Sequence, residues 1–335
     1  MKFILKNFKL LTVFLFVIGL TSCSDDDNNP PTTTTVVDVA VANGFTSLAA
    51  ALQATDLVSV LQGPGPFTVF APTNDAFTDL LNTAQLDLNN LSTAEEELVR
   101  QILLNHVIVG SELDATAITS TAPSYRNTGA SGVGNTNLSL FYNVNGSTVQ
   151  LNGGSSTTAG ANVTATNVEA DNGVIHVIDK VLGLPTVVDM ALANPDFSSL
   201  VGALTTSTPG TDFVTILSTE NGTQPAPFTI LAPNNAAFAA LTATPSESEL
   251  VAILQHHVID GNNVQSSNLN QNGDTMPETL EGDLVTITLP GTNGNIANVT
   301  DGSGNSDIGI IAVDVQTTNG VIHVVNKVLI PNTTN

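Results

Sequence analysis

The stretch NGVIHVIDKVL, residues 172–182, returns as NGVIHVVNKVL at 319–329. Upstream of each copy, NHVI (105–108) pairs with HHVI (256–259) and FTVFAPTNDAF (67–77) with FTILAPNNAAF (228–238). TVVDVAVANGFTSLAAAL from Thr35 likewise pairs with TVVDMALANPDFSSLVGAL from Thr186. The blocks are offset by 319 − 172 = 147, 256 − 105 = 151, 228 − 67 = 161 and 186 − 35 = 151 residues, so their order is kept while the loops between them change length. This is the mark of a tandem duplication of one domain. The 335 residues also make about twice an ordinary domain. The reading places the copies at 36–184 and 186–331, with Gly183-Leu184-Pro185 as the hinge.

Each block has a physical job. Asn172-Gly173 and Asn319-Gly320 are hairpin-turn signals leading into Val/Ile-rich strands. FTVF and FTIL are β-formers that the following Ala-Pro must end, because proline brings no amide donor. Thr73 and Asn74, matched by Asn234 and Asn235, offer side-chain oxygens to cap a helix beginning near Ala76. Phe45, Leu48, Ala49 and Leu52 recur at helical spacing and predict an amphipathic helix. Leu138 to Leu151 and Thr279 to Leu289 read as short strands between Gly/Asn/Ser turns. Helices early and strands late in each copy predict an α+β fold.

Thirty Asp and Glu against seven Lys and Arg leave a net charge of −23. Lys2, Lys6 and Lys9 precede residue 22 and no acid does, so without that start the charge is 4 − 30 = −26. A polyanion without a basic patch repels phosphate, which excludes nucleic acid as a partner. A hydrophobic fraction of 41% is that of a folded chain.

The three lysines followed by the apolar run Leu10 to Leu20 form a signal-peptide pattern over residues 1–22, too short to span a bilayer. Leu20-Thr21-Ser22-Cys23 resembles the lipobox of bacterial lipoproteins, which makes Cys23 the lipidated residue; the alternative is a chance cysteine after an ordinary signal peptide. As the only cysteine in the chain, Cys23 excludes an intrachain disulfide and a multi-cysteine metal site. After Cys23, residues 24–35 read SDDDNNPPTTTT, so that 23–35 is the lipidated cysteine with a disordered tether of roughly 35 Å in a polyproline-like state. Its acidic run resembles the export signal of surface-exposed lipoproteins. These features place the chain in the cell envelope, lipid-anchored to the outer membrane and exposed at the surface.

FTVFAPTNDAF, LLNHVI and NGVIHVIDKVL, in this order and repeated once, resemble the fasciclin domain over essentially the whole chain from residue 36. The resemblance implies two tandem domains, each a β-wedge packed with helices, in a secreted or membrane-anchored protein of cell adhesion and matrix contact. The family's adhesive motif carries a Tyr just before a histidine. Here those positions are Asn105 and His256, a departure that argues against receptor binding of the animal type.

Four of the five histidines fall at matched positions, His106 with His257 and His176 with His323, whereas His256 faces Asn105. One reading makes the matched pairs ligands or bases. The other makes them interior groups whose ring nitrogens bond locally, and it is preferred because His106 lies on an apolar helix face and His176 within a Val/Ile strand. His256, without a counterpart, is expected to matter less. Asn105, His106, His256, His257, His176 and His323 are thus the candidate structural or interaction residues.

Glu95-Glu96-Glu97 open a helix, where anions favour the dipole. Asp301 to Asp307 lacks the glycine and the terminal glutamate of a calcium loop and reads as a surface turn. No catalytic motif, metal site or cofactor site is read from the sequence. The expected function is a non-enzymatic, lipid-anchored surface protein that contacts extracellular protein or polysaccharide. The alternatives are a polysaccharide or small-ligand binder and, behind it, a hydrolase.

Overall fold

The structure, a computed structural model, describes residues 34–332. The signal segment, Cys23 and the tether up to residue 33 lie outside the described residues. Thr34 and Thr35, read as the end of the tether, belong to the fold. The amide of Thr34 donates to Asp171 and its carbonyl accepts from the Asp171 amide, while Thr35 caps the first helix. Residues 34–332 form one compact unit.

The first copy has helices α1 (Val36–Ala42), α2 (Thr46–Ala54), α3 (Val58–Leu61), α4 (Asn74–Ala84), α5 (Thr93–Asn105) and α6 (Ala115–Thr121). Its strands are β1 (Phe67–Pro72), β2 (Val107–Val109), β3 (Ser124–Ser131), β4 (Asn137–Asn145), β5 (Thr148–Leu151), β6 (Ala161–Ala170) and β7 (Gly173–Ile178). The second copy has α7 (Val187–Ala193), α8 (Ser198–Thr205), α9 (Phe213–Leu217), α10 (Asn235–Ala239) and α11 (Glu247–His256). Its strands are β8 (Phe228–Pro233), β9 (Val258–Ile259), β10 (Asp274–Thr275), β11 (Thr286–Thr288), β12 (Ala297–Thr300), β13 (Ile308–Gln316) and β14 (Gly320–Val325).

Each copy folds its strands into one seven-stranded sheet, in the order β2-β1-β7-β6-β5-β4-β3 and, reversed, β10-β11-β12-β13-β14-β8-β9. Strand for strand the two orders are the same. In the first copy the end strands β2 and β3 meet, so the sheet curls. One pair in each sheet is parallel, β1 with β7 and β8 with β14, placing Phe67 opposite Gly173 and Phe228 opposite Gly320. A Cβ at either glycine would collide with the carbonyl oxygen of the facing phenylalanine, so only glycine lets the two strands close there.

Strand β1 is buried along its whole length, which explains why it reads as a continuous apolar run. Alternate residues serve two cores. Phe67 and Val69 join Leu48, Leu52 and Leu103 under the helices, while Phe70 joins Leu140, Leu151 and Ile178 inside the curl. The second copy repeats the division, with Phe228 and Ile230 under its helices and Leu231 inside with Ile310 and Val325.

The helix starts are set by capping boxes, Thr35 with Asp38, Ser92 with Glu95, Thr186 with Asp189 and Ser246 with Glu249. Thr73 and Asn234 cap α4 and α10. Asn74 and Asn235, expected to share that task, instead tie neighbouring helices. Asn74 accepts from the Ser47 amide and donates to the Gly44 carbonyl, and Asn235 does the same with Ser199 and Pro195. The helix therefore begins at Asn74, not near Ala76. Of the strand region expected over Thr279 to Leu289, only β11 and a single Glu278–Leu284 bridge form. Pro277 and Pro290 bracket it and supply no amide donors.

The hinge is not a free linker. The Gly183 carbonyl accepts from Asn105 in the first copy, and the Pro185 carbonyl accepts from the Thr318 amide and hydroxyl in the second. Beside it, Phe141 of β4 is buried in the core under the second copy's helices, with Tyr125 packed against it at 5.0 Å between ring centroids. The Tyr125 hydroxyl accepts from Asn194, and burial pushes its pKa up to about 12. The Gln316 amide donates to the Ser139 hydroxyl at 3.0 Å.

Candidate functional site

His106 and His257 cap the C-terminal ends of α5 and α11. In the first copy, Nδ1 lies 2.7 Å from the Ile102 carbonyl and Nε2 accepts from the Leu182 amide at 2.8 Å. In the second, the corresponding distances are 2.7 Å to Ile253 and 2.9 Å from Leu329. An acceptor at Nε2 fixes the proton on Nδ1, so both rings are neutral. Each ring ties the end of its helix to the chain just past the last strand. Desolvation pulls both pKa values down to about 4, against the opposing effect of the carbonyl bond.

His176 and His323 use the other tautomer. Nε2 lies 2.7 Å from the Leu113 carbonyl and 2.8 Å from that of Val264, so it donates. Nδ1 accepts from the Asn167 amide at 3.4 Å and the Asp314 amide at 3.3 Å. Those two residues stand at φ 59° and 63°, inside bulges of β6 and β13. Each histidine thus satisfies an amide that the bulge removes from the ladder. Burial lowers both pKa values.

At the unmatched position the copies diverge. Asn105 is fully buried, donating to Gly183 at 2.8 Å and accepting from the Thr128 hydroxyl at 3.1 Å. His256 is equally buried, with Nε2 accepting from the Gly302 amide at 3.0 Å and Nδ1 3.3 Å from both Glu281 and the Thr279 hydroxyl. It was expected to matter less, yet it has as many partners as the matched histidines. Desolvation lowers its pKa, opposed by the carboxylates of Glu281, Asp283 and Asp301.

Among the described residues, His256, Glu281 and Asp283 bring ligand-type atoms within 4.8 Å of one another. With Nε2 occupied by an amide donor, Nδ1 holds the proton and faces the carboxylate as a donor, not as a lone pair for a cation. The Asp301 turn is anchored more firmly than a surface turn needs to be. Its buried carboxylate accepts from the Ser303, Asn305 and Ile330 amides at 3.1, 2.9 and 2.9 Å.

The six candidate residues do not converge on one cleft. They occupy equivalent interior positions in two copies, and each bonds backbone across elements. Sequence reasoning missed their companions. Asn172 accepts from the Val36 amide and donates to the Leu61 and Gly63 carbonyls, and Asn319 does so with Val187, Leu217 and Thr219. Thr68 and Thr229 each donate from the hydroxyl to one loop carbonyl and accept an amide two residues on. Recurrence was the available signal, since 319 − 172 and 314 − 167 both give 147.

The fasciclin domain model matches residues 43–185 and again 195–331, well over half of the chain. The chain belongs to the fasciclin-domain family. Among its relatives, protein sll1483 of Synechocystis is 39% identical over 148 residues, covering 44% of this chain and 72% of that protein. Human periostin is 29% identical over 298 residues, 86% of this chain but 31% of its own length. A solved FAS1 domain pair from the insect cell adhesion molecule Fasciclin I aligns at 22% identity and a TM-score of 0.48, over 88% of this chain and 95% of that one. By the family match, the fasciclin repeat is present twice. Among the described residues no helix is long and apolar enough to cross a membrane.

Proposed function

We propose that the protein is held at the outer membrane through a lipidated Cys23 and uses its paired fasciclin domains to bind an extracellular protein or polysaccharide, in adhesion or matrix contact. The observation that carries this reading is the pair itself: two complete fasciclin domains locked into one body by Phe141, Tyr125 and Gln316. The interior histidines are occupied within the chain, which leaves recognition of an extracellular protein or polysaccharide to the outer surface. Without residues 1–22 the net charge is 4 − 30 = −26, which favours neutral or cationic partners. The fold starts at Thr34, 34 − 23 = 11 residues beyond the cysteine, a reach of roughly 34 Å if extended.

The test has two arms. Cys23→Ser should release the protein from the membrane fraction; unchanged retention would refute the anchor. The immobilised protein should capture a component from an array of extracellular proteins and polysaccharides. Failure to retain any component, together with turnover of hydrolase substrates, would overturn the binding reading in favour of an enzyme.

A further inference from the structure

The second copy holds an apolar cavity of about 110 Å³ between α7, α8, α9 and the sheet, walled by Val187, Leu200, Val201, Phe213, Leu217 and Ile230. The equivalent space in the first copy, among Val36, Leu48, Leu61 and Val69, is about 10 Å³. The two differ where the helices connect. Residues 55–57 join α2 to α3, three residues, whereas residues 206–212 join α8 to α9, seven. The short connection goes with a filled core and the long one with an open space.

The wall limits what can enter. Its two polar side chains are engaged within the chain: Thr205 donates to the Val201 carbonyl, and both His257 nitrogens are bonded. A guest therefore finds no hydrogen-bonding group, and one that needed a partner would lose solvation without recovering it. No lining residue is cationic, and the net charge of −23 disfavours an anionic guest such as a fatty-acid carboxylate. Leu192 and Val214, 49% and 40% exposed, also line the cavity and mark its mouth. Dry apolar cavities of about 150 Å³ accept benzene. We infer that this cavity is a binding site for a small uncharged hydrocarbon group, a single aromatic ring or a short alkyl segment.

Benzene is the probe, and methyl NMR of the full chain is the readout. Saturable shifts are expected at Leu200, Val201, Leu217 and Ile230, with none at Leu48, Leu61 or Val69; benzoate should move neither set. Ala191→Leu and Val201→Phe, each filling the cavity, should weaken benzene binding at least tenfold, and either variant suffices if the other does not fold. Equal shifts in both copies, no saturable shift, or full binding by a folded cavity-filling variant would overturn the proposal.

Discussion

The two copies share one set of interior hydrogen bonds that tie secondary elements together, and they differ at Asn105 and His256 and in the helical layer outside. The paired histidines, Asn172 with Asn319, and Thr68 with Thr229 make the same bonds in each. By contrast, α4 runs eleven residues and α10 five, the turn Ser266–Asn268 stands where α6 would be, and the α8–α9 connection is longer. A buried polar group left without its partner costs about 1–3 kcal/mol, whereas a change in helix length on the surface costs little. After duplication, the first kind of change is the harder to accept.

The largest effect should come where the copies stop being separate. Phe141→Ala empties a site in the second copy's core from the first copy's strand, and truncations of this kind cost about 3–5 kcal/mol. Calorimetry should show both copies losing stability together. Loss confined to the first copy would mean that the shared core does not couple them, and that the fragments 36–184 and 186–335 fold independently.

Next come the matched caps. His106→Gln and His257→Gln should each lower the melting temperature and reduce its dependence on pH. The folded pKa of about 4 lies below the unfolded value near 6.5, so the unfolded chain binds the extra proton. The stabilisation is complete above pH 6.5 and drains away as pH falls toward 4, by on the order of 3 kcal/mol per histidine. Proton uptake on unfolding at pH 5, measured in buffers of different ionisation heat, should fall in each variant. Uptake unchanged from the parent would show that these rings are not buried neutral.

The unmatched position sharpens the comparison. His256→Ala should destabilise the second copy by about 1–3 kcal/mol, because the Gly302 amide loses its acceptor. A change below about 0.5 kcal/mol, typical of a surface site, would restore the expectation that His256 matters less. The smallest and most symmetric effect should come from Ser92→Ala and Ser246→Ala. Each removes one capping box at a cost of about 1 kcal/mol, equal in the two copies; unequal melting shifts would break the equivalence.

Much of this was legible because the residues that recur are those with obligatory partners. Thr73 announced its cap, the Asn-Gly pairs the starts of β7 and β14, and the FTVF and FTIL blocks their strands. The roles of Asn74 and Asn172 were not legible, since their partners lie 30 and 111 residues away and a local motif carries no trace of them. Phe141 lies within the strands expected over Leu138 to Leu151, but a strand pattern does not tell which copy covers a buried side chain. The cavity was equally silent. Its wall is as apolar as a filled core, and the difference lies in how far apart the helices stand.

The occupied hinge also bears on how the protein is degraded. A protease must draw several residues of extended backbone into its own cleft, which needs a segment that is exposed and unbonded. Between these copies, the Gly183 and Pro185 carbonyls are already held, one by each copy, and Pro185 is buried. A cut from outside therefore falls in a peripheral loop and not between the copies.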